Sequence, residues 1–376
     1  MTAHATSDHH LDIDALGVTV RIDVGGLPPV DRDLLSDAWS GARTTVTRTP
    51  VAVVEPRSHF SFDQTVADLT TQVTLVALAA RRGQLWMVHA GAIADDEGRV
   101  ILFSGRSGMG KTTLMARLAR EYGYVTDESV GILADGEVLP YRKPLSVIVD
   151  GSSAKHQLSP GSLRLRELPL EPLRLHAIVV LDRDAEHDGA PRLEPLEIAD
   201  AVAALAPQCS YLAELEAPLQ ALIGHVEGAG GALRLRYREA DAIPPLVWEL
   251  FAADRLVLPH ARAVAESALH DDDYEIGSAT TYRRTPTLDA VTIDGARLAL
   301  LRRDDDDRTT VHLIDGIGPT LWRAANNTTL DALIDAAVRV HGAPGDAGPR
   351  EAVLEALHSL ISAGLISEGS AASSML

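Results

Sequence analysis

Along the first two thirds of the chain the hydrophobic period switches between two and three-to-four, the mark of strands interleaved with helices. Residues 1 to about 10 are polar, and disorder is expected there. Gly17-Val-Thr-Val-Arg-Ile-Asp-Val alternates and predicts a first strand; Val51 to Val54 predicts a second, ended by Glu55 and Pro56. From Asp63 the period lengthens, and Val66, Leu69, Val73, Val76 and Ala80 mark one face of a helix, with Asp63 as candidate cap and Gly83 as stop. Trp86 to Ile93 predicts a strand carrying His89, joined by the turn Asp95-Asp-Glu-Gly98 to the apolar run Val100 to Phe103. A glycine-rich loop and a helix with Leu114 and Leu118 on one face follow. Tyr124 to Leu133 reads as a strand with Asp127 and Glu128 at its bend, and Leu175 to Asp182 as a buried strand. Helices over Ile198 to Leu205 and Leu246 to Phe251 flank a strand over Ala232 to Tyr237.

The pattern then restarts. Asp271-Asp-Asp-Tyr-Glu with Gly277 and Ser278 reads as linker, and Ala290 to Ile293, Arg297 to Leu301 and Thr310 to Ile314 as three short strands with an acidic turn at Asp304 to Asp307. Helices are expected over Pro319 to Ala325, Leu330 to Val340 and Arg350 to Ala363, the last with Val353, Leu354, Leu357, Leu360 and Ile361 toward a core and Gly364 as its stop. The expected organisation is 1–84 as the N-terminal part of an α/β P-loop domain, 85–253 as its core and 254–285 as linker. Residues 286–368 form a C-terminal α+β winged-helix-like domain, and 369–376 a disordered tail.

With 376 residues, each part is long enough to bury a core of its own. Aromatics make up 4%, so those cores rest on Leu, Val, Ala and Ile. One cysteine, Cys209, excludes an intramolecular disulfide and a cysteine-cluster metal site. A net charge of −19 disfavours nucleic acid, and the arginines at 164, 166 and 174 and at 234, 236 and 238 read as wet strand faces. No run is apolar enough to span a membrane and no secretory signal pattern opens the chain, so no membrane partner and a cytoplasmic location are expected.

Gly105 to Thr112 matches G-x-x-x-x-G-K-S/T between an apolar strand and an amphipathic helix, the context a phosphate-binding loop requires. Glycine lets successive N–H groups turn toward phosphate oxygens, the helix start adds its positive dipole end, and Lys111 brings a charge to the β/γ-phosphates. The expected nucleotide set is Gly105, Ser107, Gly108, Gly110, Lys111, Thr112 and Thr113, with Thr112 also holding Mg²⁺. Adjacent strand residues face opposite ways, so one of Asp127 and Glu128 is expected to face the phosphates, as base or metal ligand. Asp182, ending a buried strand, competes as a metal carboxylate. For His89 the competing reading is an ordinary structural histidine. Lys143-Pro-Leu-Ser and Gly151 to Lys155 form a loop-rich stretch that could lie over the nucleotide, a place no spacing assigns it.

His89-Ala-Gly-Ala, GRSGMGKTT, YVTDESV and HAIVVLDRD, all within residues 85 to 250, together resemble the HPr kinase/phosphorylase-like group. The resemblance implies a P-loop α/β fold, ATP with Mg²⁺, and phosphoryl transfer to a Ser or Thr hydroxyl. By that likeness Lys111 and Thr112 handle phosphates and metal, Asp127 is the catalytic carboxylate and His89 sits near the transferred group, while Glu128, where the family has Asp, is expected as a metal ligand from its place beside Asp127. Two features depart from the family: Asp127-Glu128 stands where it has two Asp, and its later glycine-rich signature loop is not found, which argues against HPr as substrate. Residues 286 to 368, with Ile314-Asp-Gly-Ile-Gly-Pro-Thr-Leu-Trp322-Arg and Leu360-Ile-Ser-Ala-Gly-Leu-Ile, resemble a PqqD-like module, the recognition element for ribosomally made peptides. That resemblance implies binding of a precursor's leader by strand addition along Thr310, Val311, His312, Leu313 and Ile314, beside the last helix. The combined expectation is a peptide-maturation protein that phosphorylates a Ser or Thr of its tethered precursor. The rival is a non-catalytic scaffold that presents the precursor to separate tailoring enzymes. A third reading is a small-molecule kinase with an unrelated tail.

Overall fold

The computed structural model describes residues 9–57, 59–148, 155–253, 264–265, 280–304, 308–343 and 348–369. The tail after Gly369, most of the expected linker, Asp305 to Asp307 in the acidic turn and Gly151 to Ala154 of the loop-rich stretch lie outside them. The chain divides into two compact units, Met1–Glu216 with Ala221–Leu258, and Ala217–Gln220 with Pro259–Leu376.

The first unit opens with β1 (His10–Ala15), β2 (Val18–Asp23), α1 (Pro29–Ala38), β3 (Ala52–Val54) and α2 (Phe62–Ala80). β1 starts at a residue assigned to a disordered start: His10-Leu-Asp-Ile-Asp-Ala alternates, and its apolar positions Leu11, Ile13 and Ala15 are buried beneath the sheet. α1 was not legible, because among its ten residues Leu35 and Ala38 alone are buried, too few for a stripe. α2 is capped two residues before Asp63, the expected cap: Ser61 accepts from the Gln64 N–H and the Gln64 side chain accepts from the Ser61 N–H, a capping box. Val66, Leu69, Val73 and Ala77 of α2 pack with Ile13, Val20, Ile22 and Trp39 in one core.

Next come β4 (Trp86–Ala94), β5 (Arg99–Ser104), α3 (Lys111–Leu118), β6 (Gly123–Thr126), β7 (Ser129–Ile132), β8 (Val138–Leu139), β9 (Leu145–Ile148) and β10 (Lys155–Leu158). They are followed by β11 (Arg174–Arg183), β12 (Arg192–Leu196), α4 (Ile198–Leu205), β13 (Cys209–Ser210), α5 (Pro218–Gly228), β14 (Ala232–Tyr237) and α6 (Pro244–Ala252). The main sheet runs β12-β14-β11-β5-β4-β7-β8, with β6 and β13 also paired to β4. β11 is parallel to both β5 and β14, whereas β4 returns antiparallel to β5. α3 lies close on this sheet. A Cβ at Gly91 of β4 would stand 2.5 Å from Met115 Cγ, so that position needs glycine. Phe103, Leu114, Met115, Leu118, Val179 and Leu235 form the core beneath α3, each such side chain stabilising the fold by about 1.5–3 kcal/mol on burial.

The second unit carries β15 (Val264–Ala265), β16 (Thr281–Arg284), β17 (Asp289–Ile293), β18 (Arg297–Arg303), β19 (Thr309–Ile314), α7 (Gly318–Ala324), β20 (Thr328–Thr329), α8 (Leu330–His341), α9 (Pro349–Ser362) and β21 (Ile366–Gly369). One sheet runs β15-β17-β18-β19 and a second β20-β16-β21. The stretch 281–284, expected as linker, is thus the middle strand of a sheet. Leu298, Leu300, Leu321, Trp322, Leu333, Val353, Leu357 and Leu360 make its core. Leu354 departs from the expected stripe and is 41% exposed, because five apolar residues span more of α9 than its buried face covers.

Candidate functional site

Gly105 to Gly110 connect the end of β5 to the start of α3, and the loop is shaped by glycine at both ends. Gly110 has φ +82, a left-handed turn that aims the first turn of α3, and a Cβ at Gly105 would stand 3.1 Å from Leu181 Cβ on the neighbouring strand. Tyr237 of β14 supports the loop from below: its hydroxyl donates to the Met109 carbonyl at 2.6 Å. Lys111 Nζ donates to the Gly105 carbonyl at 2.6 Å and to the Arg106 carbonyl at 3.3 Å. Burial lowers the Lys111 pKa, and the Glu128 and Asp127 carboxylates oppose that shift.

The loop forms the floor of a cleft of about 880 Å³. Ser107, Gly108, Gly110, Lys111, Thr112 and Thr113 line it from the loop and α3, His89 from β4, and Asp127 and Glu128 from the β6–β7 junction. Ala67, Thr70 and Thr71 of α2 and Ser146, Val147 and Gln157 of the β9–β10 hairpin form the facing wall. Arg117, Arg120 and Arg183 also reach it, so cations crowd a cleft in a strongly acidic chain. The Thr70 and Thr71 hydroxyls are spent on the Val66 and Ala67 carbonyls of their own helix.

Asp127 and Glu128 share this cleft, contrary to the expectation that strand alternation would separate them. The strand breaks there. β6 ends at Thr126 and β7 begins at Ser129, while the Glu128 and Ser129 N–H groups both approach Thr126 Oγ1, at 3.3 and 3.5 Å. The Ala90 N–H donates to the Glu128 carbonyl at 3.0 Å and the β4–β6 register slips between Ala92 and Ile93, so the rule of opposite faces does not apply across the junction.

The two carboxylates have different surroundings. Asp127 is buried: its Oδ2 accepts from the Thr112 hydroxyl at 3.0 Å, and its Oδ1 accepts from the Tyr124 hydroxyl at 3.0 Å and lies 3.1 Å from Lys143 Nζ. Glu128 is 41% exposed at its side chain and has Lys143 Nζ 3.0 Å from its Oε2. Burial first, and then the Asp127 charge, push the Tyr124 hydroxyl well above its ordinary range. Burial works to lower the Lys143 pKa, but Asp127 and Glu128 outweigh it and the net shift is upward. The His89 pKa is lowered, chiefly by burial and next by Lys111.

Asp182 is not brought to this cleft. It is the penultimate residue of β11, beside Arg236 of β14, its Oδ2 accepting from Arg236 Nε at 3.2 Å, and the cleft is instead lined by its neighbour Arg183, as alternation along β11 requires. Arg183 donates from Nε to the Arg238 carbonyl at 3.0 Å and sits beside the loop, about 4.0 Å from where a Gly110 Cβ would be. Lys143, Arg183, Tyr124 and Tyr237 were all missed as site residues. Tyr124 opens the stretch YVTDESV and Lys143 the stretch Lys143-Pro-Leu-Ser, but nothing in their spacing brings Lys143 to Asp127. The oxygen donors of Thr112, Asp127 and Glu128 suit Mg²⁺, which takes one or two carboxylates together with phosphate oxygens. Among the described residues no group of three or more His, Cys, Asp or Glu side chains is placed to hold a metal.

In the second unit, Thr310, Val311, His312, Leu313 and Ile314 lie on β19, the end strand of its sheet among the described residues. Leu313 is 38% exposed, and burial lowers the His312 pKa with Arg302 adding to the shift. No helix among the described residues is long and apolar enough to cross a membrane.

No family model matches the chain, and no curated protein matches it in sequence. A solved structure that it resembles is the Hpr(Ser) kinase/phosphatase from Coxiella burnetii, 13% identical with a TM-score of 0.25, over 44% of this chain and 93% of that one. A TM-score that low carries no weight for what the cleft does.

Proposed function

We propose that the cleft binds ATP with Mg²⁺ and transfers the γ-phosphoryl group to a Ser or Thr hydroxyl of a ribosomally made precursor peptide, whose leader is held by the PqqD-like second unit. The observation that carries this reading is the contact between the last motif residue and the carboxylate pair: Thr112 donates to Asp127, with Glu128 beside it at the open cleft. Thr112 and Asp127 would hold Mg²⁺, which would supply charge neutralisation for the phosphates. Lys111 would release its two loop carbonyls to meet the phosphates, and Arg183 adds a second positive charge beside the loop.

Of the two acids, Glu128 is the better placed to receive the acceptor's proton, because its side chain is 41% exposed while both oxygens of Asp127 are already engaged. Asp127 then orients Thr112, a division of labour opposite to the one the family resemblance implies. In the balanced step the acceptor oxygen bonds to phosphorus as the bond to the ADP oxygen breaks, and the hydroxyl proton passes to Glu128. Leader binding along β19 raises the local concentration of the acceptor and replaces a bimolecular encounter with a tethered one.

The test incubates the full chain with γ-labelled ATP, Mg²⁺ and a candidate precursor peptide, beside Lys111→Ala, Asp127→Asn and Glu128→Gln. Label on the peptide with the wild type and its loss with Lys111→Ala and Glu128→Gln is the expected result. Leader and ATP both bound with no label transferred would replace the enzyme with the presenting scaffold.

A further inference from the structure

Between the two carboxylates of the cleft lies an ammonium that no motif announces. Lys143 sits just before β9 with a side chain 3% exposed, and its Nζ lies 3.1 Å from Asp127 Oδ1, 3.0 Å from Glu128 Oε2 and 3.2 Å from the Pro144 carbonyl oxygen. An ammonium has three N–H donors and no acceptor. Three oxygens therefore account for all of them, which leaves Lys143 nothing to offer a phosphate. In this it differs from Lys111, whose Nζ rests on two loop carbonyls at the phosphate position.

The two oxygens of Asp127 are divided between two cation positions. Oδ2 faces Thr112, the hydroxyl that a phosphate-borne ion would share, and Oδ1 faces Lys143. Sites with two divalent ions commonly hold them about 3.5–4 Å apart, bridged by carboxylates. Lys143 Nζ lies between the two carboxylates that could bridge to a second ion, 3.1 Å from one and 3.0 Å from the other.

We propose that Lys143 is a positioning residue whose ammonium takes the place of a second divalent ion between Asp127 and Glu128, so that the cleft accepts one divalent ion with its nucleotide and no more. The inference rests on reading the cleft as a nucleotide site. It gives the Asp127-Glu128 pair a fixed partner of charge +1, set by the fold and independent of metal supply.

The experiment titrates Mn²⁺ into the full chain and follows free Mn²⁺ by electron paramagnetic resonance, with and without a non-hydrolysable ATP analogue. Mn²⁺ prefers the same oxygen donors as Mg²⁺. With the analogue, the wild type and Lys143→Arg are expected to bind one Mn²⁺ per chain and Lys143→Met two. Without it, Lys143→Met is expected to bind Mn²⁺ at least about tenfold more tightly than the wild type. A wild type that binds two ions with the analogue overturns the inference, as does a Lys143→Met chain that matches the wild type in both arms. Should Lys143→Met lack a cooperative unfolding transition, added Mn²⁺ must restore one where equal ionic strength of NaCl does not; failure to do so also overturns it. If the analogue does not bind the wild type at all, the nucleotide reading falls, and the nucleotide-free arm still decides the place of Lys143.

Discussion

Replacing Asp127 with Asn isolates the most consequential charge in the cleft while keeping its shape. Asn retains an acceptor for the Tyr124 hydroxyl, so the main loss is the charge facing Lys143 Nζ at 3.1 Å. Both side chains of that pair are buried, at 3% and 2% exposure, and removing one partner of a buried pair costs about 3–5 kcal/mol because the other charge stays behind. Glu128 remains 3.0 Å away, which places the expected cost at the lower end, about 3 kcal/mol. For a unit of this size that is a fall of about 6–12 °C in the midpoint of its thermal transition. Circular dichroism on the full chain without nucleotide measures it, with Glu128→Gln as comparator. The Glu128 side chain is 41% exposed, so solvent screens its pair and about 1 kcal/mol or less is expected. Adding Lys143→Met to Asp127→Asn should recover part of the loss, since it removes the stranded charge. Equal shifts for the two single variants, or an Asp127→Asn midpoint within about 2 °C of wild type, would refute the assignment of Asp127 as the buried partner.

Three further outcomes are expected. Tyr237→Phe removes the hydroxyl that donates to the Met109 carbonyl, costing about 1 kcal/mol and raising the nucleotide Kd several-fold in calorimetry; an unchanged Kd would mean that the loop holds its shape unaided. Cys209 Sγ accepts from Trp86 Nε1 at 3.2 Å and donates to the Leu205 carbonyl at 3.3 Å, and burial pushes its pKa up from 9.0 to about 12. At pH 8 an aromatic disulfide reagent should therefore react on the order of 100-fold more slowly with the folded chain than with the chain in guanidinium. The stability this thiol contributes is full below the unfolded-state pKa of 9.0 and is lost as pH rises toward 12, so a Cys209→Ser chain should show a smaller alkaline loss of stability. If β19 takes a leader peptide as proposed, Leu313→Asp, at a 38% exposed position on that strand, should weaken its binding about tenfold in fluorescence anisotropy while leaving the thermal midpoint of its unit within about 2 °C.

The parts of this protein that were legible in its sequence are those whose physics is local. The strand, glycine loop and helix around Gly105 to Thr112 could be read directly, since the motif is built from consecutive residues and calls for a strand before it and a helix after it. The stripes of α2 and α3 were equally plain, because a helix's buried face is written at three- and four-residue spacing. The capping box Ser61-Phe-Asp-Gln64 is equally local, with Ser61 rather than the acidic first-turn residue Asp63 as the cap. α1 lacked any such signal, with two buried residues in ten.

What the tertiary structure decided is where side chains from separate segments meet. Sequence determined that Asp127 and Glu128 are adjacent, and alternation then sent them to opposite faces; the break between β6 and β7, supported by Thr126 Oγ1 and by the Ala90 N–H, turned both to one cleft. Sequence offered Asp182 as a metal ligand, and the pairing of β11 with β14 tied it to Arg236 and gave the cleft Arg183. Lys143 belonged to a stretch without a pattern, and an ion pair depends on distance in space, which no spacing along the chain encodes. The strand, loop and helix of the motif were therefore determined by the sequence alone, while the charges around them were assigned by the fold.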